Sequence, residues 1–150
     1  MKNIILLFFI PFLGLAQPNK LDEKNGFETY VFGSTPAQYK NLTLEIEDGN
    51  TKLYSLNQSN IALQGAEFEY LRITFYNNKL SAITLQTKNA TGQKFLQSLK
   101  ESYGEPVKLT KPKENYEWVS NKYRLLYEAN AAHNDATVSF YAKTASKSKK

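Results

Sequence analysis

The residues able to do chemistry in this chain are few. His133 is the one histidine and there is no cysteine. That excludes a zinc site built from His and Cys ligands, and it excludes a thiolate nucleophile. A Ser-His-Asp arrangement would have to use His133 with Asp135 two residues on, and no G-x-S-x-G elbow supplies the serine. Within NAAHND the histidine reads as an exposed loop residue.

Carboxylates come next. Glu45, Glu47 and Asp48 cluster at the end of one predicted strand, and Glu67 and Glu69 stand two apart on another. Paired carboxylates can serve a glycosidase or hold Ca²⁺. Alternation along a half-buried strand, however, sends each such pair to the solvent face, where the charge is simply solvated. Gly33 and Gly104 are isolated, so no glycine-rich loop cradles phosphate. No catalytic residue, metal ligand or cofactor is expected.

Aromatics are the unusual feature: ten Tyr and one Trp. Tyr70, Tyr76, Tyr123 and Tyr127 fall, in one choice of register, opposite the predicted core face. Tyr and Trp suit a binding surface because each covers a large apolar area while keeping a polar tip. With Trp118 and the neighbouring Arg72 and Arg124, these residues form the expected site: Tyr70, Arg72, Tyr76, Trp118, Tyr123, Arg124 and Tyr127. The competing explanation is that the rings roof the core or pair across strands.

The elements that must position them centre on Lys79–Pro106. Leu80–Thr87 reads as a strand and Thr91–Tyr103 as a helix, with Phe95, Leu96, Leu99 and Tyr103 sharing one face. Thr91 is the expected N-cap, Gly104 the left-handed stop, and Pro106 cannot continue the helix. Before it, Phe27–Phe32 predicts a strand and Pro36–Asn41 a short helix. Leu42–Glu47 and Thr51–Leu56 predict a hairpin about Asp48-Gly49-Asn50. Ala66–Tyr76 pairs with Leu80–Thr87. A two-residue loop at Asn77-Asn78 would set Ile83 opposite Arg72. A three-residue loop through Lys79 instead joins Leu71 to Leu85 and Ile73 to Ile83, and is preferred because one face is buried. Val107–Glu114 reads as a loop, Tyr116–Val119 and Tyr123–Glu128 as a hairpin, Ala129–Asp135 as a loop and Ala136–Ala142 as the last strand. The fold class predicted is α+β: a single domain with a mainly antiparallel sheet, one principal helix and one short helix packed on it. A helix followed by antiparallel strands occurs twice in this order, which is compatible with a diverged repeat.

Residues 1–16 read as a signal peptide. Lys2 is the positive start, Ile4–Leu15 a run of twelve apolar residues, and Gly14 and Ala16 are small residues at a cleavage site. Twelve is short of the about 20 needed to span a bilayer and no second apolar run follows, so no transmembrane segment is expected after cleavage; the rival reading is a retained N-terminal anchor. Residues 17–25 are expected to be a flexible lead-in, 26–142 the α+β domain, and 143–150 a disordered basic tail. Without cysteine the domain must stand on its core, with no disulfides. The formal charge of +5 is carried by the ends: residues 17–142 hold fourteen Lys+Arg against fourteen Asp+Glu. A neutral domain speaks against specific nucleic-acid binding, and the tail lysines alone give only salt-sensitive attraction.

VFGSTP near the start, a helix ending SLKESYGEP and a later YEW strand resemble a group of small exported bacterial domains. The group looks like the fold of β-lactamase-inhibitory protein and of the accessory lipoproteins of the outer-membrane barrel assembly machine. The resemblance covers Gly26–Ala142 in outline and rests on Gly33, Gly104 and Pro106, which it implies are structural. It implies helix-on-sheet modules that bind other proteins and carry no chemistry. The chain departs from the lipoproteins by lacking a cysteine to acylate, so a tethered role does not carry over. The expected function is a non-enzymatic, periplasmic or secreted binding module engaging a protein partner through an aromatic sheet face or loops. The alternative is an enzyme acting on envelope polysaccharide, or a small-ligand or glycan binder, using strand carboxylates such as Glu45 and Glu47.

Overall fold

Apolar alternation builds the longest strands of the chain, seen in a computed structural model that describes residues 20–56, 61–110 and 114–143. The predicted signal segment, part of the lead-in and residues 144–150 of the tail lie outside the described residues. The elements are α1 (Lys20–Lys24), β1 (Gly26–Phe27), β2 (Tyr30–Val31), a 3-10 turn (Pro36–Gln38), β3 (Leu42–Asp48), β4 (Thr51–Leu56), β5 (Ile61–Leu63), β6 (Ala66–Tyr76), β7 (Lys79–Lys88), α2 (Gly92–Tyr103), β8 (Val107–Thr110), β9 (Asn115–Val119), β10 (Tyr123–Asn130) and β11 (Asp135–Ala142). The fold is α+β, mainly antiparallel sheet with one long helix, in one small domain.

The central pair β6–β7 buries Phe68, Leu71, Ile73 and Phe75 against Leu80, Ile83 and Leu85. Its turn combines the two loops weighed above. Asn77 and Asn78 take positive φ, 50° and 61°, as a two-residue turn of the strand-matching hand requires. Tyr76 therefore faces Lys79 and Phe75 faces Leu80, yet Ile73 still faces Ile83 and Leu71 faces Leu85. A bulge at Ser81 absorbs the extra residue, and the Ser81 hydroxyl donates to the Thr74 carbonyl at 3.1 Å. The loop is two residues, not three. The buried face fixes the register all the same.

Helix α2 buries Phe95, Leu96, Leu99 and Tyr103, as its period predicts. Phe95 meets Phe68 edge-on at 4.9 Å and Phe27 at 5.8 Å. Gly104 ends the helix at φ 86°, its N–H donating to the Lys100 carbonyl at 2.8 Å. The start differs from the expectation. Thr91 makes no side-chain cap. Its hydroxyl donates to the Lys88 carbonyl at 2.8 Å and accepts the Glu67 N–H at 3.1 Å, tying the helix start to the sheet.

Four further expectations change. Lys20–Lys24, read within a flexible lead-in, forms a helical turn because Leu21 is 1% exposed and has a place in the core. Phe27–Phe32 folds back on itself as the β1–β2 hairpin, which buries Phe27, Tyr30 and Phe32 together. The short helix shrinks to Pro36–Gln38, with the Thr35 N–H donating to the Gln38 amide oxygen at 3.0 Å. Val107–Thr110, read as loop, is an edge strand paired to β9.

The sheet order is β3-β4-β6-β7-β11-β10-β9-β8, with β5 pairing β6. The chain thus lays down two four-strand meanders, each preceded by a helical element, and joins them through their last strands, β7 and β11. The first strands, β3 and β8, lie at opposite edges. The two four-strand paths have the same topology, with β5 an addition to the first. All helical elements and the β1–β2 hairpin pack on one face. Phe27 lies 5.0 Å from Phe140, Tyr39 6.3 Å from Phe75, and Phe32 stacks on Tyr123 at 4.8 Å. Among the described residues nothing lies on the other face.

Candidate functional site

Cross-strand register assembles that open face row by row. One row runs Ile46, Leu53, Thr74, Ala82, Tyr141, Arg124, Val119, one residue from each of seven neighbouring strands. At about 4.8 Å per strand it extends about 29 Å. Arg124 carries its only formal charge, and its guanidinium is paired with Glu117. Ile46 is 56% exposed, Val119 48% and Tyr141 38%. The adjacent row runs Ser55, Arg72, Thr84, Ser139, Leu126, Glu117. Its centre is small and polar, with the Thr84 and Ser139 hydroxyls 3.5 Å apart. Arg72 pairs with Glu45 at 3.2 Å and lies over the Tyr70 ring at 4.6 Å. The face is therefore apolar along one stripe, with the flanking Arg124 and Arg72 each paired to a carboxylate.

The seven expected site residues divide between the two faces. Tyr70, Arg72, Tyr76 and Arg124 stand on the open face, and Tyr76 is 48% exposed at its end. Trp118, Tyr123 and Tyr127 point into the covered side. Trp118 is 4% exposed and its indole N–H donates to the Gly104 carbonyl at 2.7 Å. Tyr127 is 1% exposed, and burial pushes its phenol up to about 12, with Glu114 adding to the shift. Tyr123 stacks on Phe32 and its hydroxyl donates to Asn25; its pKa is raised by burial and then by Asp22. Tyr123 and Tyr127 were expected opposite the core. The adjacent pair Leu125-Leu126 allows either parity, and the fold chooses Leu125 for the core, which brings both tyrosines inward.

The sequence reading missed Ile46, Leu53, Val119 and Tyr141. Strict alternation in LTLEIE groups Ile46 with Leu42 and Leu44. A bulge between Leu44 and Ile46 turns Ile46 to the open face instead. The same bulge separates the carboxylates: Glu45 reaches Arg72 on the open face, while Glu47 pairs with Lys52 at 2.9 Å on the other. Glu67 accepts from the Asn89 amide at 2.7 Å and Glu69 from the Gln86 amide at 3.1 Å. His133 sits exposed in the β10–β11 turn. Among the described residues no group of three or more His, Asp or Glu side chains is placed to hold a metal ion.

Two concavities lie at opposite ends of β10 and β11. One, of about 490 Å³, is lined by Glu114, Glu128 and Asp135 with Gln93 and Asn134. The other, of about 800 Å³, is lined by Phe32, Tyr76, Leu80 and Tyr123 with Lys79, Lys122 and Lys143. No helix among the described residues is long and apolar enough to cross a membrane. No family model matches the chain, and neither a curated protein nor a solved structure matches it at a significant level.

Proposed function

We propose that the chain is a non-enzymatic, exported binding module that engages a protein partner through its open sheet face. The observation that carries this reading is the stripe from Ile46 to Val119. An uncovered sheet face leaves aliphatic and aromatic side chains in water, where a partner's burial of them is favourable. Its neighbouring charges are already paired within the face, so a partner need not bring ions into a desolvated centre. The apolar start of the chain points to the periplasm or the exterior, and the resemblance to helix-on-sheet binding domains points the same way. The test is affinity capture from envelope extract with wild-type protein and with Ile46→Lys and Tyr141→Lys. Wild type should retain one partner reproducibly. Each variant should keep its melting temperature and lose the partner by at least about thirtyfold, the effect of removing an interface anchor worth about 2 kcal/mol. Equal capture by all three proteins would end the proposal.

The carboxylate-lined cleft favours a second reading, action on or binding of envelope polysaccharide. Its residues are Glu114, Glu128 and Asp135 rather than the strand-end pair Glu45 and Glu47. Release of reducing ends from envelope polysaccharide by wild type, abolished in Glu128→Gln and Asp135→Asn, would establish it. No turnover by wild type would remove the enzymatic form of it.

A further inference from the structure

We propose that the groove at the Lys143 end of the sheet binds a small anionic amphiphile: one carboxylate or phosphate on an apolar body. The groove lies where β11 parts from β7. Strand β11 pairs with β10 to its end, Ala142 with Tyr123, but leaves β7 after Tyr141 and Ala82, so a gap opens between β11 and the start of β7. The floor offers side chains and not backbone. Leu80 donates its N–H to the Ser34 carbonyl at 2.8 Å and accepts the Gly33 N–H at 3.0 Å, so both its polar groups are occupied. The rings of Phe32 and Tyr123, stacked at 4.8 Å, wall the groove, and Tyr76 also lines it.

The charged side chains that line this apolar floor have one sign. Lys79, Lys122 and Lys143 line the groove and no Asp or Glu does. None of the three belongs to an ion pair among the described residues. Lys143 is held in place: its N–H donates to the Lys122 carbonyl at 2.7 Å and its ammonium to the Ser120 carbonyl at 2.5 Å. The three lysines are a local excess of positive charge in a domain whose charges balance as a whole. Ammonium groups beside an apolar floor match a ligand that is apolar over its length and anionic at one end, since the chain buries while the head is paired. The volume of about 800 Å³ suits a single small molecule. Its concave form admits a monomer, whereas the surface of a bilayer would bridge over it.

The experiment is calorimetric titration of the full chain with monomeric decanoate, alongside decyltrimethylammonium of equal chain length, inorganic phosphate, and anionic vesicles. Decanoate should saturate at one per chain, and the other three should give no saturable heat. Lys79→Ala with Lys122→Ala should weaken decanoate at least about tenfold at unchanged melting temperature, and Tyr76→Ala should weaken it too. Equal binding of the cationic amphiphile, phosphate binding as tight as decanoate, binding to vesicles in place of monomer, no binding, or full affinity in the double variant would each overturn the proposal. Ile46→Lys lies outside the groove and should leave decanoate binding intact, so loss of the protein partner and loss of this ligand are separable.

Discussion

Gly92, the first residue of α2, lies against the Asn134 backbone of the β10–β11 turn. Its N–H donates to the Asn134 carbonyl at 3.1 Å, and a Cβ added to it would fall 2.8 Å from that same oxygen. The contact docks the start of the helix onto the second meander, so the helix and the last hairpin are placed by one another. In an isolated helix Ala would be better than Gly by about 0.5–1 kcal/mol. Here Gly92→Ala should instead destabilise by about 1–3 kcal/mol, since backbone atoms on both sides must move. At Gly104 a Cβ meets nothing, so Gly104→Ala should cost only the backbone strain of φ 86° with ψ −170°, a region all but confined to glycine, about 1–3 kcal/mol. Leu99→Ala, wholly buried, should cost about 2–5 kcal/mol. Denaturant melts give the ranking, and a Gly92→Ala protein more stable than wild type would refute the docking contact.

Trp118 is the sole tryptophan and therefore a reporter of its own placement. Buried on the covered face with its N–H on Gly104, it should emit blue-shifted of free tryptophan and resist quenching by acrylamide. Both properties should vanish in a single step on unfolding. Trp118→Phe should cost about 1–3 kcal/mol by stranding the Gly104 carbonyl. Strong quenching of the native protein would return Trp118 to the surface, where sequence alone had put it.

What could be read from sequence follows a physical division. Helix α2 was legible because four apolar residues at helical spacing admit one solution. The central pairing was legible because only one register buries Leu71, Ile73, Ile83 and Leu85 together. Face assignment elsewhere was not, because a strand's parity is lost wherever a bulge enters. The shift beside Glu45 moves Ile46 across the sheet, and Leu125-Leu126 leaves β10 ambiguous until β11 pairs with it. Leu21 gave no periodic signal, since a single buried residue in a five-residue helix has no period to show. The stripe and both concavities arise from strands distant in sequence, so no local window contains them.

The Asn77-Asn78 turn offers a test of the register. Both residues adopt left-handed φ, where Asn is tolerated and glycine is free. Asn78→Ala should destabilise by about 1–2 kcal/mol, while Asn78→Gly should match or exceed wild type in thermal melts. Were Ala tolerated as well as Gly, a longer loop would replace the two-residue turn and the Ser81 bulge would disappear with it.

Alkaline pH tests the covered tyrosines. Tyr30, Tyr103, Tyr123 and Tyr127 all have phenols held above the usual 10, with burial the largest cause in each, and Tyr127 reaches about 12. A phenol is neutral when protonated, so the unfolded chain loses these protons first as pH rises past 10. Between that point and the folded values the native state holds more protons than the unfolded state. The stability these groups contribute is therefore complete below pH 10 and lost above it. Tyr103 and Tyr127, the more deeply buried, each lower stability by up to about 1.4 kcal/mol per pH unit over their own windows. Urea midpoints should fall between pH 10 and pH 12, and Tyr127→Phe should make that fall shallower while the loss persists through Tyr103. Midpoints that held level across the window would mean that the phenols ionise freely in the folded protein, and the burial of Tyr103 and Tyr127 would be wrong.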